Sequence, residues 1–182
     1  VSAVTDAREK TVLSLLRGAP GRNLFPVGRL DKDTEGLLLI TDDGELAHRL
    51  LSPRYHVDKT YLVLAEGRLL PEDLTRLEEG VDIGEEKPTL PARARLLSAE
   101  SCGFSVTSLA ELTIREGRFH QVKRMFQAVG KPVLHLTRTA MGGVLLDHSL
   151  PSGAFRPLTE EEIRTLREAA GYREEKKILS GS

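Results

Sequence analysis

Tryptophan is missing from this chain, cysteine occurs once, and aromatic side chains make up only 4% of it. The lone Cys102 has no partner for an internal disulfide and excludes a zinc site built from several thiolates. The five histidines stand apart, without the paired spacing that ligates a metal, so no metal centre is expected. Long hydrophobic runs are also lacking. No stretch approaches the ~20 apolar residues of a membrane span, and the start carries no signal-peptide pattern. The expectation is a cytoplasmic protein with no membrane partner. A surplus of one charge is absent too, since 26 basic and 27 acidic side chains leave a formal net charge of -1. Taken whole, that balance argues against nucleic acid.

Its distribution argues otherwise. Residues 71–86 carry Glu72, Asp73, Glu78, Glu79, Asp82, Glu85 and Glu86 against Arg76, whereas 115–131 carry Arg115, Arg118, Lys123, Arg124 and Lys131 against Glu116. A local basic face binds phosphate even on a near-neutral protein. Two solvated faces of opposite sign explain the charges equally well. At 182 residues, 40% hydrophobic and 29% charged, the chain has the size and balance of one well-buried core.

Periodicity and turn residues divide the sequence. Residues 1–6 are apolar and β-branched, like the tail of a strand. Residues 8–17 read as a helix with Val12, Leu13 and Leu16 inward and Gly18 just past its end. Strands are expected at 25–30, 37–41, 55–66, 92–97, 104–115, 133–137 and 144–147, with 92–97 and 104–115 antiparallel neighbours. Asp42-Asp43-Gly44-Glu45 reads as a capping box opening a helix that runs to Leu51 and stops at Ser52-Pro53. Pro71 opens a short acidic helix over 71–79, with Gly80 beyond it.

Within 118–129, Phe119, Val122, Met125, Phe126 and Val129 share one helical face, which leaves His120, Lys123, Arg124 and Gln127 on the other sides. A last helix starts at Thr159, partnered by Glu162, and ends by Gly171. Strands outnumber helices and short links join them. The expected fold class is therefore α+β: a largely antiparallel mixed sheet with flanking helices. One domain over 1–172 and a flexible polar tail over 173–182 complete the expected layout.

The sequence is organised around 25–44, FPVGRLDKDTEGLLLITDDG, where apolar flanks enclose Asp31-Lys32-Asp33-Thr34-Glu35-Gly36. Carboxylates beside a core need cations, a metal or open water. A calcium loop of the EF-hand type matches Asp31, Asp33, Glu35 and Gly36, but its flanks are strands and Asp42 stands where the bidentate glutamate belongs. A polar hairpin loop bonded to its own amides explains Asp33, Thr34, Glu35 and Gly36. A catalytic aspartate would need a neighbouring cation to stay ionised; Arg29 qualifies by local spacing, and Lys123 is a second candidate.

Four motifs in order, GRLDKDTEGLLLITDDG, DKTYLV, EGRFHQVKRMF and FRPLTEEEI, resemble the bacterial rRNA pseudouridine synthases of the RsuA type, over roughly residues 2–170. The resemblance implies an enzyme that isomerises uridine to pseudouridine in structured RNA without a metal or organic cofactor. It makes Asp31 the catalytic aspartate, Arg29 its adjacent arginine and Lys123 its basic partner. It also makes Tyr61 a catalytic residue, the aromatic that packs on the target base and shares in proton transfer, and Leu158 the apolar residue closing the uracil pocket.

Taken singly, these residues have plainer readings: Tyr61 as core, Leu158 as a hydrophobic staple and Lys123 with Arg124 as a solvated face. Their joint order favours the site. His120 and Gln121 are expected beside the substrate. Arg22, Arg54, Arg115, Arg118, Arg124, Arg138 and Arg156 are the expected contacts to the RNA backbone.

YHVDKTYLV and RFHQVKRMFQAVGKPV are most similar to members acting on small-subunit rRNA, so that RNA is the expected partner of a monomer. Large-subunit rRNA and a non-catalytic RNA-binding module are the alternatives. The family's small S4-like RNA-binding domain, its linker and a strand with Lys-Pro have no counterpart before Val1. The expectation is a catalytic domain whose first strand starts short.

Overall fold

The computed structural model describes residues 11–173. The strand expected at 1–6, the start of the helix expected at 8–17 and the tail from 174 onward lie outside the described residues. The strands β1 (Phe25–Pro26), β2 (Glu35–Gly36) and β3 (Ile40–Thr41) are very short and lead into helix α1 (Gly44–Leu51). Then come β4 (Lys59–Glu66), α2 (Pro71–Glu79), β5 (Arg93–Cys102), β6 (Ser105–Ile114), α3 (Gln121–Ala128), β7 (Val133–Met141), β8 (Val144–Leu145) and α4 (Glu160–Ala169).

The main sheet runs β2-β7-β4-β6-β5, with β8 also paired to β7, while β1 and β3 pair separately. Every pairing is antiparallel except that of β2 with β7. The expected α+β class and mixed, largely antiparallel sheet are what the chain forms.

Alternation along β4 explains the sheet's position. Val63 and Ala65 are sealed from solvent and face Ala110 and Ser108 of β6. On that side lie Leu77 of α2 and Val122, Met125, Phe126 and Val129 at the helix α3 face, forming one core. Each such aliphatic or aromatic side chain contributes ~1.5–3 kcal/mol by leaving water. A second core joins Val27 and Leu39 to Ala47 and Leu50 of α1, Met141 and Val144, and Leu166 of α4. The segment 27–39, which holds the acidic loop, thus starts and ends in the second core.

Element ends depart from the sequence reading for local reasons. Around 12–15 there is only a tight 3-10 turn, because the Thr11 carbonyl accepts both the amide and the hydroxyl of Ser14. The expected strand 25–30 ends at Pro26, and Gly28, at φ 76°, turns the chain. The cap of α1 is Asp43, not Asp42: its carboxylate accepts the Leu46 amide at 3.0 Å. Leu46 has no carboxylate to answer it, so there is no reciprocal box at α1. β4 begins at Lys59 because Pro53–Tyr55 form a 3-10 turn and His56 sits at φ 47°. β5 and β7 run longer than expected, carried by cross-strand pairing that no local signal announces. The Thr159–Glu162 box at α4 forms as expected.

Candidate active site

The loop around Asp31 is fixed by its own backbone and by the sheet edge. The Asp31 carbonyl accepts the Thr34 amide at 2.9 Å, closing a tight turn. Glu35 and Gly36 then lie parallel to Thr137 and Arg138 of β7. Gly36 is at φ 104°, and a side chain there would run into the Arg138 backbone. The Leu37 amide donates to the Arg138 carbonyl at 2.8 Å, and the Arg138 Nε donates back to the Leu37 carbonyl at 2.9 Å.

Helix α3 brings its N-terminal turn to this loop. His120 Nε2 is 3.3 Å from one carboxylate oxygen of Asp31, and Lys123 Nζ is 3.7 Å from the other. His120 is the N-cap of α3 and Lys123 lies in its first turn, so one end of the helix supplies both groups. Lys123 also bonds the Asp33 carboxylate. That bond is the main reason the Asp33 carboxyl sits below its usual range. The Asp31 and Lys123 side chains are only 27% and 28% exposed, so their attraction is screened less than at an open surface.

Tyr61 lies half-buried on β4, opposite Arg138 of β7. Lys59, on the same strand, is buried; desolvation, and then the charge of Arg138, push its ammonium below its usual value. Arg138 is itself buried. Its Nη2 and the Thr34 hydroxyl have no hydrogen-bond partner among the described residues.

Several expected site residues have other occupations. Arg29 is exposed and forms no ion pair among the described residues; the cations beside Asp31 come from α3 instead. Gln121 is buried rather than open to substrate, donating to Glu116 at 2.9 Å and accepting the Arg118 amide at 2.9 Å. Arg138 is an interior residue, not a surface contact for phosphate.

The other arginines are engaged in structure or open to solvent. Arg118 bonds Glu116, Glu85 and the carbonyls of Lys87 and Pro88. Arg124 bonds Glu85 and the carbonyls of Phe119 and Ile83, so these two arginines pin the acidic loop 83–88 to α3. Arg115 and Arg93 share Asp58. Arg156 bridges Asp147 and Glu162. Arg54 lies 5.8 Å from the Tyr55 ring centroid, and Arg22 is exposed with no ion pair among the described residues. Leu158 packs into the second core, just ahead of the α4 cap.

Three features around the site escaped the sequence reading. Asp33 was legible in principle, since it is two residues from Asp31 in the same short loop. The burial of Arg138 depends on the β2–β7 pairing and has no local signal. Phe119 was assigned to the core face of α3, yet it lies before the helix and is 74% exposed, because His120 adopts the left-handed conformation at φ 48° and breaks the helical phase.

The sequence pattern of a family described as RNA pseudouridylate synthase matches residues 2–128. An uncharacterized RNA pseudouridine synthase of Bacillus subtilis is 48% identical over 169 residues, which are 92% of this chain and 69% of that protein. Ribosomal small subunit pseudouridine synthase A of Escherichia coli is 43% identical over 167 residues, 91% of this chain and 69% of that protein. A crystal structure of a pseudouridylate synthase superposes at a TM-score of 0.78 and 42% identity, covering 86% of this chain and 65% of that one. The chain thus spans about two thirds of the length of the proteins it matches.

Proposed function

The chain belongs to the RNA pseudouridylate synthase family, and on that premise we propose that it converts a uridine of small-subunit ribosomal RNA to pseudouridine. The observation that carries the reading is the Asp31 carboxylate held between His120 Nε2 at 3.3 Å and Lys123 Nζ at 3.7 Å, on a loop clamped to β7. A solvated polar loop has no need of such an arrangement. The small-subunit preference rests on the relative of that name in Escherichia coli.

The reaction breaks the bond from ribose C1′ to N1 of uracil, turns the freed base and joins C1′ to C5. The hydrogen on C5 leaves as a proton and N1 gains one, so the product is an isomer and no oxidant or cofactor enters. Asp31 acts on the ribose, by attack at C1′ or by taking a proton from the sugar. The detached uracil carries negative charge, which Lys123 offsets from a partly desolvated position. Tyr61 offers an aromatic face to the uridine once it has left its stack, and Leu158 an apolar wall. Of the expected arginines, Arg22, Arg29 and Arg54 have no carboxylate partner among the described residues and are open to RNA phosphates. The protein works as a cytoplasmic monomer on rRNA.

The test is tritium release from C5-labelled uridine in small-subunit rRNA, with large-subunit rRNA and tRNA alongside. Release from small-subunit rRNA alone, abolished in Asp31→Asn with RNA binding kept, is the expected result. Release from large-subunit rRNA alone would move the target. An Asp31→Asn protein as active as wild type would overturn the assignment of the aspartate.

A further inference from the structure

Phe119 presents a large apolar ring to water, with 74% of its surface exposed, while Val122, Met125 and Phe126 of the following helix fill the core without it. A single exposed phenylalanine is ordinary. Its neighbours are not. One face of the ring stacks on the imidazole of His120, with centroids 3.8 Å apart and planes 18° from parallel. That imidazole is the group 3.3 Å from Asp31.

His120 holds a left-handed backbone conformation, φ 48°, which residues with a side chain seldom adopt and which persists only where the surroundings enforce it. The surroundings here are specific. Arg124 donates to the Phe119 carbonyl at 2.9 Å, and the Arg118 amide donates to Gln121 at 2.9 Å. The backbone on both sides of the ring pair is therefore fixed before any ligand arrives. One ring face is covered by His120, and the other is open.

We propose that Phe119 and His120 form an aromatic ledge at the mouth of the Asp31 site, on which one RNA base adjoining the target uridine stacks. This rests on the reading of the site as one that draws a uridine out of its stack. Extruding a base leaves its neighbour with a bare face, and an exposed ring at the mouth replaces the lost stacking. Every base offers such a face, so the ledge adds affinity and register without reading sequence. Phe119 is thereby a substrate-positioning residue rather than a catalytic one.

The experiment compares wild type, Phe119→Ala and Phe119→Tyr in binding and turnover of a small-subunit rRNA transcript, intact or with single abasic residues placed in turn along it. Phe119→Ala should weaken RNA binding and raise KM by on the order of tenfold, with kcat nearly kept, and Phe119→Tyr should restore both. One abasic position should weaken binding to wild type and add nothing to the loss already present in Phe119→Ala. Unchanged affinity in Phe119→Ala would overturn the ledge, as would losses additive with every abasic position. A fall in kcat with affinity kept would also overturn it, by assigning Phe119 to the support of His120. The binding arm needs no turnover. A wild-type protein that releases no tritium yet shows the coupled loss would remove the synthase reading and leave the ledge.

Discussion

Gly36 meets Arg138 backbone to backbone: a Cβ on Gly36 would lie 2.8 Å from the Arg138 amide nitrogen and closer still to its carbonyl oxygen. The contact also fixes φ at 104°, where a side chain is strained whatever the space. Gly36→Ala should therefore cost ~2 kcal/mol or more in urea unfolding. Turnover should fall further than that loss explains, because the same contact holds the loop that ends at Asp31. A variant with the wild-type midpoint and rate would contradict this account of the loop.

Asp33→Asn separates the support of Lys123 from stability. Asp33 is 74% exposed, so removing its ion pair should change unfolding by no more than ~1 kcal/mol at neutral pH. The Asp33 carboxyl lies below its usual 3.8 because Lys123 bonds it; its contribution is complete above that value and disappears as pH falls through the lower folded one. At neutral pH the effect should appear in kcat, lowered roughly tenfold by a displaced Lys123, with KM kept. Calorimetry and steady-state tritium release read the two separately.

The Arg156 bridge predicts an acid window. The Ser149 hydroxyl and then Arg156 hold Asp147 at about 2, and Arg156 holds Glu162 at about 2. Both lie below the ordinary 3.8 and 4.5, so the native state gains from their ionisation above about 4.5 and loses that gain as pH falls toward 2. Thermal melting across this window should decline less steeply in Arg156→Ala than in wild type.

Salt dependence distinguishes structural arginines from those facing RNA. Arg22→Ala should lower the slope of log affinity against log salt by about one, the loss of one phosphate contact. Arg118→Ala should leave that slope alone and cost roughly 2–3 kcal/mol of stability, because it deprives buried Glu116 of its cation. Reversed outcomes would make Arg118 the RNA contact.

What the sequence disclosed depended on how local each feature is. The core face of α3 was readable from Val122, Met125, Phe126 and Val129, and the α4 cap from Thr159 and Glu162, because the physics lies within a few turns of chain. Phe119 was misplaced because one left-handed residue, His120, shifts the helical phase. β2 has only Glu35 and Gly36 and exists solely through its pairing with β7. No spacing rule brings Lys123 to Asp31; that pairing followed from the resemblance, and the structure supplies the contact, together with Asp33 as its other partner. Arg29, chosen by strand spacing, failed as the neighbouring cation because the strand ends before it.

The Arg138 Nε and the Leu37 carbonyl are 101 residues apart in the chain. Contacts of such separation carry the full loop-closure entropy of the intervening chain and slow folding. The Asp31 turn closes on its own amide, but its far end is anchored only when the last long strand of the sheet docks. A chain still emerging from the ribosome, with residue 138 unmade, has the aspartate but not the site. The loop that carries the aspartate is therefore anchored by a strand made long after it, and a chain truncated before residue 138 loses that anchor.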